Sequence, residues 1–426
     1  MTSYLKKSVV ALASARTYIA QWSAEHVYAD EALIIPFPTL AKFNPDKGVW
    51  SVQIKAWLYL PIEGNKLKIF FSSLPGRLMR KIESTKREDS VDKELNLNAA
   101  GDLEENNEQV EIIDDDDDPG ACLNEDAVHE DSSKVDENPG RLGYFFVRKS
   151  VKVITKSIIN DVEHLLQPSD ESGFIEGNLE LSDEEIRSLG EKIHPDSSDL
   201  KFDYTIQINQ SNSDIRTEPC KLFKCTIYAL AHNGLSIISD IDDTIKISEV
   251  VSTRELLKHT FVSDFKPVDG MSELYQAWSE QNCQFHYVSS SPWQLFPALS
   301  VFLKKYKYPM GTINLRKFAW GFKHLKPPKT YKMETITQIL NAYPSRQYIF
   351  VGDSGELDPE IYSKLYTMFP QNIRRIFIRD VCKTPECLPQ CQERYLSAFQ
   401  DVPKEQWTIF KDPRKVETDI RKITAV

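Results

Sequence analysis

Acidic residues crowd together at one point of the sequence. The segment Ser239-Asp240-Ile241-Asp242-Asp243-Thr244 directly follows a short apolar run, Leu235 to Ile238, and such a run is typical of a buried strand. Carboxylates this close together repel one another unless a cation is bound among them. Mg²⁺ prefers oxygen ligands and can complete its shell with a phosphate. The segment therefore predicts a magnesium site at a strand end.

A hydroxyl group and an amine occur in comparable positions further along the chain. The apolar run Phe285 to Val288 is followed by Ser289 and Ser290, and either hydroxyl could donate to a phosphoryl oxygen. Lys332 begins a segment with the apolar spacing of a helix. Its ammonium could neutralise charge on a phosphoryl group.

A second pair of carboxylates follows another apolar run. Asp353 and Asp358 lie five positions apart, directly after Tyr348 to Val351. Strands that alternate with helical segments predict right-handed βαβ units and a mostly parallel sheet. In such a sheet ligands bind beyond the carboxyl ends of the strands, so these polar groups are expected to converge at one edge.

The order of these four segments resembles the haloacid-dehalogenase superfamily. Within it, three segments resemble the actin patch family of phosphatidate phosphatases: Asp240 to Thr244, His286 to Trp293 and Gly352 to Tyr362. The resemblance covers about Leu235 to Asp380. It is weaker in the N-terminal half, where the letters IPFPT near Pro36 and WLYLP near Trp57 still resemble fungal members.

The resemblance implies a role for each catalytic candidate. Asp240 attacks phosphorus and forms an aspartyl-phosphate, while Asp242 protonates the leaving alkoxide and later deprotonates water. Ser289, or Ser290 in its place, and Lys332 hold the phosphoryl oxygens.

The resemblance also implies Mg²⁺ as the cofactor. The candidate ligands are four carboxylates: Asp240, Asp242, Asp353 and Asp358. For the last of these, a supporting contact to a ligand stays open as an alternative to direct binding.

The fold class that follows is α/β, with a Rossmann-like parallel sheet of the haloacid-dehalogenase type in the C-terminal half. The N-terminal half is predicted to be β-rich, because apolar and polar residues alternate from Trp50. An acidic stretch poor in aromatic residues interrupts it and predicts disorder. A helix is predicted where apolar residues recur at three- and four-residue spacing from Val147 to Leu165.

The predicted domains follow from these patterns. They are an N-terminal helix (1–30), a β-rich domain (31–234) with a disordered acidic insertion (83–138), a haloacid-dehalogenase-like catalytic domain (235–385) and a C-terminal helical extension (386–426). The first 24 residues contain basic residues and no acid. This composition is compatible with a docked helix, a transit peptide or an interfacial helix.

Basic and aromatic residues accumulate beside the expected site. Between Cys283 and Lys332 there is no acidic residue, although the net charge of the chain is −11. Such a segment suits an anionic bilayer surface, and it also suits nucleic-acid ends. The resemblance favours phosphatidate, hydrolysed to diacylglycerol and phosphate, and no nucleic-acid partner is expected.

Seven cysteines, an odd number without regular spacing, indicate reduced thiols in an intracellular protein. The expected location is the cytoplasm, at the periphery of membranes or cortical actin patches, as the resemblance implies, with actin-patch or endocytic proteins as candidate partners. Two alternatives stay open. One is a phosphatase with the same mechanism that acts on a soluble or protein-bound ester, and the other is an actin-patch scaffold.

Overall fold

The structure, a computed structural model, describes residues 32–60, 148–149, 152–208, 222–247, 265–317, 330–381 and 388–424. The predicted N-terminal helix and the predicted acidic insertion lie outside these ranges. No helix within them is both long and apolar enough to span a bilayer.

The N-terminal part is β-rich, as predicted. Its described strands are β1 (Leu33–Pro36), β2 (Thr39–Asn44), β3 (Val49–Leu60), β4 (Arg148–Lys149), β5 (Thr155–Ile159), β6 (Val162–Leu165), β7 (Phe174–Ser182), β8 (Glu191–Lys192), β9 (Leu200–Ile208) and β10 (Phe223–Ala229). One helix, α1 (Asp183–Leu189), lies among them and begins with a capping box in which Ser182 and Glu185 satisfy each other's backbone N–H groups.

The long strand β3 organises this part. It pairs antiparallel with β1, β2 and β7, and β2 continues through β10 to β9, β5 and β6. Alternate side chains of β3, among them Val52, Ile54 and Leu58, are completely buried in a core shared with Tyr204 and Ile206 of β9. The alternation predicted from the sequence is therefore confirmed.

The predicted helix between Val147 and Leu165 is wrong. In the described part of that segment, β5 and β6 form an antiparallel hairpin. Its turn consists of Asn160 and Asp161, which both have positive φ angles, 48° and 62°, as a two-residue hairpin turn requires. The apolar spacing suggested one buried helix face, but Val162 and Leu165 are exposed.

The C-terminal part contains a six-stranded parallel sheet, so the prediction of an α/β arrangement with parallel strands is confirmed. The described elements are β11 (Leu235–Ser239), β12 (Lys246–Ile247), β13 (Lys266–Pro267), α2 (Met271–Ser279), β14 (Cys283–Pro292), α3 (Phe296–Lys305), β15 (Thr312–Arg316), α4 (Tyr331–Ala342), β16 (Gln347–Asp353), α5 (Asp358–Met368), β17 (Ile373–Arg379), α6 (Leu388–Ala398), β18 (Trp407–Phe410) and α7 (Ile420–Thr424).

The strand order is β15-β14-β11-β16-β17-β18, while β12 and β13 form a separate hairpin. Strand β11 lies between β14 and β16 in parallel register. The carboxyl ends of β11 and β16 therefore lie side by side.

The predicted C-terminal helical extension is wrong in one respect. After α6, strand β18 joins the parallel sheet beside β17. It buries Trp407 and Phe410 at its two ends. A strand this short has too few residues to show a period in the sequence, and its pairing with β17 provides its backbone hydrogen bonds.

The expectation of reduced thiols holds for Cys225 and Cys283, which are free. It is wrong at Cys391 of α6, which is disulfide-bonded.

A buried ion pair connects the N-terminal part to the parallel sheet. Arg346, immediately before β16, is completely buried and its Nη1 lies 2.8 Å from Oδ1 of Asp199. The remaining guanidinium N–H groups donate to Ser236 Oγ and to backbone carbonyl oxygens of three residues, Ala231, Asn233 and Leu235. The pair lies at the amino end of the strands.

Candidate active site

Three carboxylates meet at the carboxyl edge of the parallel sheet. Asp240 directly follows β11, Asp353 is the last residue of β16, and Asp358 is the first residue of α5. All three are buried, and one oxygen atom of each lies within 4.8 Å of the others. The structure thus brings together three of the four predicted metal ligands.

The predicted lysine lies among these carboxylates. Lys332, in the first turn of α4, is 3% exposed, and its Nζ lies 2.9 Å from Asp240 Oδ1 and 2.7 Å from Asp358 Oδ1. It also lies 2.9 Å from Oε2 of Glu356. The Asp240 carboxylate accepts a further hydrogen bond at Oδ2 from Thr244 Oγ1, at 3.1 Å.

Burial and mutual repulsion change the acidity of the cluster. Burial raises the pKa of Asp240 well above its usual value, against the opposing charge of Lys332. Burial and the neighbouring Asp358 likewise raise the pKa of Asp353. Burial alone would lower the pKa of Lys332, but the carboxylates, chiefly Asp240 and Asp358, raise it well above its usual value.

The donor set of this cluster fits a divalent cation. It offers carboxylate oxygens, which Mg²⁺ prefers. Among the described residues, the buried Oδ2 of Asp353 has no hydrogen-bond partner, and such an atom is costly unless something binds it. One lysine does not balance the carboxylates around it, so Asp240, Asp353 and Asp358 are the residues that could hold the ion.

A glycine allows the carboxylates to approach one another. A Cβ atom built on Gly352 would lie 2.4 Å from Oδ2 of Asp358 and 2.8 Å from the ring of Tyr362. Both distances are shorter than van der Waals contact, so a side chain at 352 would displace the carboxylate. The glycine before Asp353 is thus a requirement of the site geometry.

Asp242 lies in a neighbouring polar group, outside the three-carboxylate cluster. Its Oδ1 is 2.6 Å from Nζ of Lys246, and its side chain is 15% exposed. Its Oδ2 accepts hydrogen bonds from Ser289 Oγ at 2.9 Å and Ser291 Oγ at 2.7 Å. The side-chain position therefore does not support Asp242 as a metal ligand, but it places Asp242 beside the predicted phosphate-binding serine.

The three serines, Ser289 to Ser291, lie near the end of β14 and are held by contacts on both sides. Ser289 is buried and its Oγ accepts a hydrogen bond from the backbone N–H of Ser291. The alternative residue, Ser290, contributes its carbonyl oxygen to Arg316 Nε, at 3.0 Å. Trp293, two residues after Ser291, packs against Trp57 of β3 with ring centroids 4.4 Å apart. The N-terminal part thus contacts the segment that carries the serines.

The aromatic residues of the basic segment belong mainly to the core where they are described. Four of them are buried: Trp293, Phe296, Phe302 and Tyr308. Three lysines of the same segment are exposed: Lys304, Lys305 and Lys307. Residues 318–329 lie outside the described ranges. In the described part, the segment exposes positive charge, while most of its aromatic side chains are buried.

Sequence reasoning missed four residues of the site. Glu356 lies between the two predicted acids and Lys246 lies four residues after Asp242, so proximity in sequence was an available signal. Ser291 directly follows Ser289 and Ser290, the two candidate phosphate-binding residues. The fourth, Arg394, comes from α6 and donates to the carbonyl oxygens of Ser354 and Glu356 in the turn from Gly352 to Asp358, the acidic turn. No local pattern could have indicated that contact.

Residues 235–380 match the family model described as the catalytic domain of phosphatidate phosphatase APP1. The matched residues include strands β11, β14, β15, β16 and β17 and the three-carboxylate cluster. This part of the chain is similar to the catalytic domain of App1-type phosphatidate phosphatases, and the resemblance found in the sequence is confirmed over the same residues.

Two relatives show how far the similarity extends. The chain is 33% identical over 186 residues to the uncharacterized protein C29B5.04c of Schizosaccharomyces pombe, which is 42% of this chain and 30% of the relative. It is 31% identical over 175 residues to phosphatidate phosphatase APP1 of Saccharomyces cerevisiae, which is 40% of this chain and 30% of the relative. The chain therefore spans less than a third of the length of these curated relatives.

Proposed function

We propose that this protein is a Mg²⁺-dependent phosphatidate phosphatase with a catalytic domain of the haloacid-dehalogenase type, in which Asp240 is the nucleophile. One observation carries the proposal. Asp240 stands at the end of a central parallel strand, with Lys332 Nζ at 2.9 Å and with oxygens of Asp353 and Asp358 within 4.8 Å. A strand end that faces an ammonium group and carboxylate oxygens able to bind a metal ion suits attack on a phosphate monoester.

In the first step, an Asp240 carboxylate oxygen attacks phosphorus and the bond between phosphorus and the glycerol oxygen breaks. Asp242 gives a proton to the departing oxygen, which leaves as the hydroxyl of diacylglycerol. The partly exposed position of Asp242 beside Ser289 supports this role. The hydroxyl of Ser289 and the ammonium of Lys332 hold the phosphoryl oxygens.

In the second step, water attacks the phosphorus of the aspartyl-phosphate. Asp242, now a carboxylate, accepts the proton of that water, and the bond between phosphorus and Asp240 breaks. Inorganic phosphate leaves and both aspartates return to their initial states. Two displacements, each with a positioned acid or base, replace one difficult displacement.

Asp240, Asp353 and Asp358 would hold Mg²⁺, and the bound ion would neutralise phosphoryl charge as a Lewis acid. The raised pKa values of Asp240 and Asp353 support this part of the proposal, because buried carboxylates that repel each other favour a cation. For Asp242, a contribution as ligand stays a prediction.

The proposed substrate rests on the family of the catalytic domain. Phosphatidate is the substrate named for the matched domain and for the budding-yeast relative. We further propose a cytoplasmic location at the periphery of membranes or cortical actin patches, with actin-patch or endocytic proteins as partners. Imaging of a fluorescent fusion together with labelled actin tests the location, and diffuse fluorescence would contradict it.

The decisive experiment measures phosphate release from phosphatidate in mixed micelles, with Mg²⁺ and with EDTA. We expect release that requires Mg²⁺ and is absent in Asp240→Asn. A parallel panel of phosphoserine peptides, sugar phosphates and 3′-phosphorylated DNA tests the substrate. Preference for one of these soluble esters would contradict the lipid substrate and leave the mechanism intact. Identical release by the wild type and by Asp240→Asn would contradict the mechanism.

A further inference from the structure

Arg394 lies on α6, beyond the residues that match the family model. Its guanidinium contacts three points of the acidic turn and the helix that follows. Nη1 donates to Ser354 O at 2.6 Å, and Nη2 donates to Glu356 O at 2.5 Å. Nε and Nη2 also bond the two carboxylate oxygens of Glu360 on α5, at 2.7 Å and 2.8 Å.

One of these contacts leads directly to a candidate metal ligand. The carbonyl of Ser354 and the N–H of Gly355 belong to the same peptide group. That N–H donates to Oδ1 of Asp353 at 2.5 Å, and the N–H of Glu356 donates to the same oxygen at 3.1 Å. A charged donor on the carbonyl polarises the peptide group and strengthens its N–H as a donor. Arg394 therefore fixes the plane of the group that orients Asp353.

The other contacts reach the rest of the cluster. With its Oδ1 held by two amides, Asp353 keeps Oδ2 for a cation, and that oxygen has no hydrogen-bond partner among the described residues. The bond to Glu356 O fixes the residue whose carboxylate pairs with Lys332. The pair with Glu360 attaches the guanidinium to the first turn of α5, which begins at Asp358.

We propose that Arg394 is a positioning residue, which holds the turn from Gly352 to Asp358 in the geometry that binds the divalent cation. This inference rests on the metal site of the proposed function. It makes α6 part of the catalytic unit, although α6 lies outside the matched domain.

A lysine cannot replace this arginine. The planar guanidinium reaches two carbonyl oxygens and a carboxylate at once, whereas an ammonium is a point charge without the fork geometry. Arg394→Lys keeps the charge and most of the side-chain length. It therefore removes only the planar, forked arrangement of N–H donors.

The test measures binding of Mn²⁺ to the full chain without substrate, by electron paramagnetic resonance of the free ion. We expect Arg394→Lys to bind Mn²⁺ at least about 10-fold more weakly than the wild type, the usual effect of losing a group that orients metal ligands. Glu360→Gln, which keeps both carbonyl contacts, should weaken binding less. In micelle assays, Arg394→Lys should need more Mg²⁺ for half-maximal rate while KM for phosphatidate is unchanged.

Arg375→Lys is the matched control. Arg375 is also half-buried, and it attaches strand β17 to the C-terminal segment through Glu405 O and Thr408 Oγ1. Among the described residues, Arg375 makes no hydrogen bond to the turn from Gly352 to Asp358, so its variant should bind Mn²⁺ as the wild type does. An equal loss in Arg375→Lys would overturn the inference, because the effect would then reflect general loosening of the fold.

The remaining outcomes separate this inference from the proposed function. Wild-type affinity for Mn²⁺ in Arg394→Lys overturns the inference alone. A wild type that binds Mn²⁺ but releases no phosphate from phosphatidate contradicts the proposed substrate, and a weaker-binding Arg394→Lys would still support the inference. A wild type that binds no Mn²⁺ overturns the metal site and this inference together.

Discussion

The parallel sheet carries a buried charged cluster at each end of its central strands, and the two clusters differ in balance. At the amino end, Arg346 faces one carboxylate, Asp199, and its other N–H groups are taken by a hydroxyl and backbone carbonyls. At the carboxyl end, Lys332 pairs with Asp240, Glu356 and Asp358, and Asp353 lies among them.

The difference separates a structural cluster from the candidate active site. A buried ion pair with all its hydrogen bonds made is a closed arrangement that binds nothing further, and breaking it leaves a buried charge. A cluster with an excess of buried carboxylates is stable only when a cation shares it or a proton neutralises it. Charge balance, rather than burial, therefore distinguishes the site from the rest of the core.

The largest expected effect is at the carboxyl end. Asp240→Asn should lower phosphate release from phosphatidate at least about 10³-fold, because the amide is not a nucleophile. The variant should unfold in urea, without divalent cation, at the same or a higher concentration than the wild type, because one repelling charge is gone. Residual activity within 10-fold of the wild type would contradict the role of Asp240.

At the amino end the effect should fall on stability instead. Arg346→Met leaves Asp199 buried without its counter-charge, which should lower the free energy of unfolding by about 3 to 5 kcal/mol. Urea unfolding followed by circular dichroism measures this. The control is Arg187→Met, which removes an exposed pair with Asp183 and should change stability by less than about 1 kcal/mol. Equal changes in both variants would show that the buried pair of Arg346 and Asp199 contributes no more to stability than an exposed pair.

A third change tests the geometry of the carboxyl-end cluster without altering its charge. Gly352→Ala places a methyl group closer to Asp358 Oδ2 than van der Waals contact allows. A displacement of about 1 Å at a catalytic site can cost about 10²-fold in rate, and we expect a loss of that size in phosphate release. Activity within twofold of the wild type would show that the close approach is not required.

The smallest effect concerns His286, which lies on β14 and whose pKa is influenced by the charge of Arg346 in the amino-end cluster. Burial, together with the charge of Arg346, lowers the pKa of His286 to about 3. Between about pH 6.5 and pH 3 the unfolded chain takes up a proton that the folded protein does not. The contribution of His286 to stability is thus complete above pH 6.5 and is lost progressively as pH falls.

His286→Gln should therefore flatten the decline of stability on the acid side by up to about 1.4 kcal/mol per pH unit. Urea midpoints between pH 5 and pH 7 measure the slope. An unchanged slope in the variant would mean that His286 takes up its proton in the folded protein at the same pH as in the unfolded chain.

The sequence by itself determined the features that depend on neighbouring residues. An apolar run followed by acids indicated the ends of β11 and β16, and parallel pairing then required Asp240 and Asp353 to meet. Alternation indicated β3. Local spacing misled at β5 and β6, because apolar residues at helical intervals concealed a two-residue turn at Asn160 and Asp161.

Only the tertiary structure decided which distant groups complete each cluster. Asp199 meets Arg346, and Arg394 meets the acidic turn, because elements far apart in sequence pack against the sheet. Their individual residue types look like ordinary surface charges in the sequence. Partner, burial and charge balance are properties of the packed chain, since each depends on all the groups that surround a side chain once water has been excluded.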